Sequence, residues 1–289
     1  MSLYNAVSFM GLFVLIAVAW ACSADRRRMN WRVIFWGLAL QLLFGVFVFV
    51  LPAGPRLFDF ANRAVLKVLE ASSAGTQFIF GPLAIPPGQE RSLGFILLIH
   101  GLMSIVFFSA LMSVLYFFRV IPWVIRGFSY IFTKLMRVSG AESLCAASNI
   151  FVGIEAALTI RPYLLRMTRS ELCVVLTTGM ATVASNVMGV YVSALKPVFP
   201  QIAGHLVSAS VLAAPAALLM AKVIFPESER PETLGETVSA AYDREKTLFE
   251  AVINGANAGL QLILGIVALL LAVRGLVALA DMILGWVGA

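Results

Sequence analysis

The chain has 289 residues, 61% of them hydrophobic and only 12% charged, with a formal net charge of +6. Soluble domains sit near half apolar and a quarter charged, so this excess is more than a soluble core hides and makes the bilayer the solvent. The basic residues are dispersed in short loops, which points to membrane topology rather than to nucleic-acid binding.

Residues 3–22 form the first expected span, read as a retained helix because no basic n-region or small-residue cleavage site accompanies it. Asp25-Arg26-Arg27-Arg28 and Arg32 follow and mark the cytoplasmic side. A second span covers about 33–51 and ends at Pro52, Gly54 and Pro55. Residues 56–70 place Leu57, Phe58, Phe60, Ala61, Ala64, Val65, Val68 and Leu69 on one helical face, as in a helix lying in the interface. Residues 71–92, small and polar with Pro82, Pro86, Pro87 and Gly88, read as a loop.

A third span covers about 93–118, followed by Arg119, Arg126, Lys134 and Arg137, again on the cytoplasmic side. Residues 122–138 read as an amphipathic helix. Arg161, Arg166 and Arg169 form the next basic cluster, about two dozen residues after Arg137, and a full crossing between them would put the two clusters on opposite sides. A hairpin that enters the membrane and returns keeps both clusters on one side. Non-helical backbone at membrane depth is tolerated only where it is buried in protein or lines a cavity, so the tip of such a hairpin implies a site. Further spans are expected at 171–194, 204–225 and from 249 to 273 or beyond, with a hydrophilic cytoplasmic loop at 226–248.

The reading is therefore all-α: a polytopic membrane protein with about six spanning helices, one interfacial helix and one re-entrant helical hairpin at about 122–166. Residues 1–92 are expected to supply scaffold helices, 93–225 a first repeat carrying the hairpin, and 249–289 the start of a second.

The stretch SNIFVGIE, residues 148–155, holds Asn149 and Glu155 on either side of Gly153 near the expected turn. A break there frees backbone carbonyls, which with an asparagine oxygen suit a hard cation such as sodium. Intramembrane carboxylates are functional hypotheses by default, so Glu155 is expected to meet a polar substrate or carry a proton. The bland alternatives are that Glu155 pairs with Arg161 or caps the second arm, and that Asn149 caps a helix. A second polar break, TVASNV at 182–187, puts Thr182, Ser185 and Asn186 in mid-span, either for a pathway or for helix packing. His100 is either a proton relay or a satisfied interface histidine, and Arg274 and Asp281 lie near the water boundary. Three cysteines without a CxxC pair and only two histidines offer no metal site, nucleophile triad or phosphate loop, and the chain is read as no enzyme.

FFSALMSVLY at 107–116, SGAESLCAASNIFVG at 139–153, RPYL at 161–164, MTRSEL at 167–172 and NGANAGLQL at 254–262 resemble the concentrative nucleoside transporters. ALADMILGWVG at 278–288 resembles the end of that family's sixth spanning helix. The resemblance covers essentially the whole chain. It implies a homotrimer of sodium- or proton-coupled nucleoside importers in the cytoplasmic (inner) membrane. Each protomer would have a scaffold and a transport domain built of inverted repeats, moving in an elevator-like way, with sodium as coupling ion and no other cofactor. Carried over position by position, the resemblance implies sodium ligands at Asn149 (side chain), Val152 (carbonyl), Thr182 (hydroxyl and carbonyl) and Val183 (carbonyl). It implies a substrate side formed by Gly153, Ile154, Glu155 and Val187.

Two departures stand out. Where the family often reads GQTEAPL, this chain reads GIEAAL at 153–158, one residue shorter, and Ile154 has no side-chain donor or acceptor for a base. The family also continues for roughly a third more chain, carrying the second hairpin and the last two spans. The expected function is therefore sodium-coupled nucleoside symport by this chain or by its N-terminal portion of a transporter, with a separate chain as one source of the remainder. The contrasting expectation is a non-transporting assembly or gate-type subunit, or an inactive truncated fragment.

Overall fold

The computed structural model describes residues 3–49, 53–241 and 245–287, with side chains described for these apart from residues 3–6, 8, 49, 53, 154, 155 and 287. Every regular element among them is helical. In hydrocarbon each backbone N–H and C=O must find its partner inside its own segment, which an α-helix achieves and an open strand does not. Among the described residues, five stretches are long and apolar enough to cross a bilayer: Trp31–Val48, Leu97–Phe117, Arg169–Leu195, Ile202–Ile224 and Leu248–Trp286. The apolar part of the first helix, Phe9–Ala21, is shorter.

The chain packs as two compact units. The first comprises Met1–Arg63, Arg119–Ser185 and Gln201–Arg244. Within it α1 (Leu3–Ala21) and α2 (Trp31–Phe49) lie against α9 (Ile202–Ile224). Ala19, Ile34, Leu219 and Val223 form the buried contact, flanked by Ile16, Met29, Leu38 and Met220. Helix α5 (Val120–Met136) is amphipathic as expected: Ile121, Ile125, Ser129, Phe132, Thr133 and Met136 are its buried side, at spacings of three and four residues. It packs on α6 (Gly140–Val152), which is buried from Gly140 through Ile150 and also meets α7 (Arg169–Ala181) and α9.

The second unit comprises Ala64–Phe118, Asn186–Pro200 and Glu245–Ala289. Its main contact joins α4 (Met103–Phe117) to α10 (Leu248–Val287), a single helix of 40 residues. Gly255 and Gly259, four apart, face α4 so closely that a Cβ would lie 2.8 Å from the Cα of Ala110 and of Val106 respectively. Small residues at this spacing let two membrane helices approach at backbone distance. Leu102, Ile105 and Ile263 complete the seam, while most of α10 is exposed, as a lipid-facing helix is.

Two local features correct or settle the sequence reading. The loop expected over 71–92 begins later, because α3 (Ala53–Phe80) runs on for 28 residues. Its polar side chains fold back one turn, Thr76 donating to the Ser72 carbonyl at 3.1 Å and Gln77 to Ser73 at 3.3 Å, so small polar composition does not end the helix. Gly81, at φ +54, and Pro82 end it. His100 lies in a π-helical turn, Leu97–Leu102. Its Nδ1 accepts from the Ile96 N–H at 3.0 Å, which leaves Nε2 as donor to the Ile85 carbonyl at 3.0 Å. Both nitrogens are spent on backbone, the role of a satisfied structural histidine.

Candidate functional site

Two capping boxes fix where the site's helices start. Ser139 Oγ accepts from the Glu142 N–H at 3.3 Å while Glu142 Oε1 accepts from the Ser139 N–H at 2.7 Å, opening α6. Thr168 and Glu171 do the same for α7, at 3.2 and 2.8 Å. Each box satisfies two of the orphan donors of a helix start. Lys222, near the end of α9, ties the two starts together. Its Nζ lies 2.8 Å from Glu142 Oε2, 3.1 Å from Glu227 Oε2 and 3.0 Å from Ser170 Oγ. The Lys222 and Glu142 side chains are 5% and 1% exposed, so this is a buried ion pair. Such pairs fix geometry more surely than they add stability.

Helix α6 stops at Val152. Gly153 has φ +73 and ψ −147, a conformation that only glycine adopts without strain. The chain then returns as a 3₁₀-helix, Gly153–Ile160, packed against α6. Ser148 Oγ and Thr159 Oγ1, 3.3 Å apart, link the two arms. The hairpin expected from the charge pattern is thus present in the backbone, with a 3₁₀ return arm.

The second break is equally definite. Helix α7 ends at Ala181, Thr182 is extended at φ −121 and ψ 152, and α8 (Ser185–Leu195) starts three residues later. Thr182 and Val183 fall between the two intrahelical ladders, so their carbonyls are available to other partners, while Ala184 caps the start of α8. The two breaks meet. A Cβ on Gly153 would lie 2.6 Å from the Ala184 Cβ and 3.1 Å from its Cα. Only a glycine permits this approach.

Asn149 is 1% exposed and sits one turn before the hairpin tip. Its amide nitrogen donates to Thr178 Oγ1 at 3.0 Å and to the Cys145 carbonyl at 3.3 Å. Its amide oxygen has no partner among the described residues. A buried acceptor without a donor costs on the order of 1–3 kcal/mol, so an isolated one calls for a ligand. Thr182 donates its hydroxyl to the Thr178 carbonyl at 3.2 Å, which leaves its oxygen lone pairs for a second partner. Asn149 and Thr182 therefore lean on the same turn of α7 from two sides. An amide oxygen, a hydroxyl oxygen and carbonyls released at a helix break make an oxygen set suited to a hard monovalent cation.

The sequence did not single out Thr178. It is fully buried, donates to the Val174 carbonyl at 2.8 Å, and is the acceptor that holds the Asn149 amide. Its position four residues before Thr182 on α7 was the available signal.

The N-terminal model of the Na+ dependent nucleoside transporters matches residues 10–83, their C-terminal model residues 205–289, and a nucleoside recognition (Gate) model residues 98–198. The chain is 35% identical over 284 residues to sodium/nucleoside cotransporter 2 of Rattus norvegicus, covering 98% of this chain and 41% of the rat protein. It is 39% identical to an uncharacterized transporter of Haemophilus influenzae, over 97% of this chain and 66% of that protein. The solved structure of CNTnw in an inward-facing substrate-bound state superposes with a TM-score of 0.86 at 34% identity, over 96% of this chain and 67% of that one. The chain belongs to the concentrative nucleoside transporter family.

The family assignment orders what the geometry leaves separate. The chain spans about two fifths of the rat relative and two thirds of the bacterial one. Of the positions expected to hold the ion, Asn149 and Val152 lie in the last turn of α6 before the Gly153 tip, and Thr182 and Val183 in the break after α7, all in the first unit. Of the substrate positions, Gly153 forms the hairpin tip, the side chains of Ile154 and Glu155 lie outside the described residues, and Val187 belongs to α8 in the second unit.

Proposed function

We propose that this chain carries the ion site and the first substrate-binding hairpin of a sodium-coupled nucleoside symporter. The observation that carries the reading is the unpartnered Asn149 oxygen, buried where the hairpin tip meets the break in the α7–α8 segment. Asn149, the Val152 carbonyl, Thr182 and the Val183 carbonyl would hold the sodium ion. Gly153, Ile154, Glu155 and Val187 would line the nucleoside side. With the ion bound, the oxygen set is satisfied and the two breaks are held together. With it absent, an asparagine oxygen is left without a partner. That difference in stability between bound and empty states is what couples ion to substrate.

On the same reading the protein works as a homotrimer in the cytoplasmic membrane. Its hairpin-bearing domain moves elevator-like past a scaffold, residues 93–225 form the first of two inverted repeats, and 249–289 begin the second. The family match and the clustering of basic residues at 25–32, 119–137 and 161–169 support this orientation. A separate chain completing the site finds no support in the comparisons.

Radiolabelled uridine uptake, with external sodium replaced by choline, tests the coupling. Uptake should fall to background. Uptake unchanged by the swap overturns sodium coupling, and uptake that instead follows an imposed proton gradient assigns the proton.

A further inference from the structure

Away from the ion site, the first unit contains a cavity of about 750 Å³ between the start of α2, the end of α5 and the segment after α9. Arg32, Lys134, Arg137 and Arg230 line it, with the Lys222 ion pair as its floor. Three carboxylates line it too: Glu142, Glu227 and Glu229. Two of them are already committed. Glu142 and Glu227 both hold Lys222, and Glu227 also accepts from Thr168 Oγ1 at 3.0 Å and from the Glu229 N–H at 3.2 Å. Glu229 is exposed.

The cations are not committed. Arg32 donates to the carbonyls of Leu135 at 2.9 Å and Lys134 at 3.5 Å, which orients its guanidinium at the end of α5 without neutralising it. Lys134, Arg137 and Arg230 have no anionic partner among the described residues. Arg137 stands at the end of α5 in the left-handed region, φ 52, where the helix turns away.

A second observation is independent of charge. Thr133 lines the same cavity, is fully buried, and its hydroxyl has no hydrogen-bond partner among the described residues. Helical threonines ordinarily bond back to a carbonyl one turn earlier, as Thr76 and Thr178 do. A hydroxyl without a partner, on a residue that lines the same cavity as Arg32, Arg137 and Arg230, suits a phosphate oxygen, since arginine forks match phosphate geometry and a hydroxyl adds a short charge-assisted bond.

We infer that this cavity binds a phosphate-bearing anion, independently of the ion and substrate sites. A phospholipid headgroup and a free phosphate share that chemistry. Basic pockets at a membrane face take the former readily, and the residues lining this one belong to the segments whose arginines mark a single side of the membrane.

The test uses the purified full chain in detergent, titrated with inorganic phosphate by calorimetry. In parallel, it is reconstituted in nanodiscs of phosphatidylcholine alone or with phosphatidylglycerol and assayed for retained lipid by native mass spectrometry. Binding of phosphate, or selective retention of phosphatidylglycerol, is expected, and the arm that responds names the source. The Arg137→Gln/Arg230→Gln double variant, both positions exposed, should weaken that binding at least tenfold. Thr133→Val should weaken it about threefold, and Lys196→Gln, outside the cavity, should not change it. Absence of binding in both arms overturns the inference, as does binding that survives unchanged in the double variant.

Discussion

Asn149 donates its amide nitrogen to Thr178 Oγ1 at 3.0 Å, and its amide oxygen has no partner among the described residues. The first fact bears on the second: an amide whose nitrogen is anchored does not flip, so its oxygen is held in place as a buried acceptor. Thr178→Val keeps shape and loses that anchor. Losing one such bond is worth about 1 kcal/mol, roughly fivefold in an equilibrium. The sodium concentration for half-maximal uridine uptake should rise by about that factor, while Thr178→Ser stays near wild type. If Asn149→Leu abolishes sodium dependence and Thr178→Val leaves it untouched, Thr178 has no positioning role.

Gly153 should tolerate no side chain. Its backbone lies where non-glycine residues pay about 1–3 kcal/mol, and a Cβ would sit 2.6 Å from that of Ala184. Gly153→Ala should lower the melting temperature in detergent and eliminate uptake. Adding Ala184→Gly should recover part of the stability, because it relieves the contact and leaves the backbone strain. No recovery would show that the two breaks do not meet.

Glu155→Gln should abolish nucleoside uptake while the protein reaches the membrane in normal amount, since only the charge and one acceptor set are changed. Surface expression and uptake measured side by side check this. Normal uptake removes Glu155 from the substrate site.

Lys222→Met leaves the Glu142 carboxyl buried without its partner. Breaking such a pair on one side costs about 3–5 kcal/mol, whereas replacing both sides is far milder. The single variant should denature at a clearly lower temperature, and Lys222→Met with Glu142→Gln should regain much of the loss. Equal melting temperatures for single and double variants would show that the pair is not what holds the helix starts together.

The membrane class, the hairpin and the second break were legible because hydrocarbon strongly constrains charge placement: the basic clusters around Arg137 and Arg161 share one side of the membrane only if the chain between them enters and returns. Asn149 and Thr182 were legible as polar residues in an apolar run. Thr178 was not, since a threonine inside a helix more often bonds to its own backbone, and nothing local says that it also receives an amide. The extension of α3 through Ala71-Ser72-Ser73 was misread because small polar residues mark loops in water, while here they satisfy themselves one turn back. The starts of α6 and α7 were written in SGAE at 139–142 and TRSE at 168–171, spaced as capping boxes. The Lys222 pairing, between residues 80 positions apart in the chain, requires the fold itself.

The return arm of the hairpin is wound as a 3₁₀-helix over eight residues, Gly153–Ile160. A 3₁₀-helix climbs about 2.0 Å per residue against about 1.5 Å for an α-helix, so this arm reaches about 16 Å where eight α-helical residues would reach about 12 Å. The surplus of about 4 Å exceeds the rise of a single residue. The eight residues GIEAALTI therefore cover the length that about ten or eleven α-helical residues would need. The rotation per residue changes with it, from about 100° to about 120°, so residues three apart along this arm stand one above another, where in α6 it is residues three and four apart that share a face.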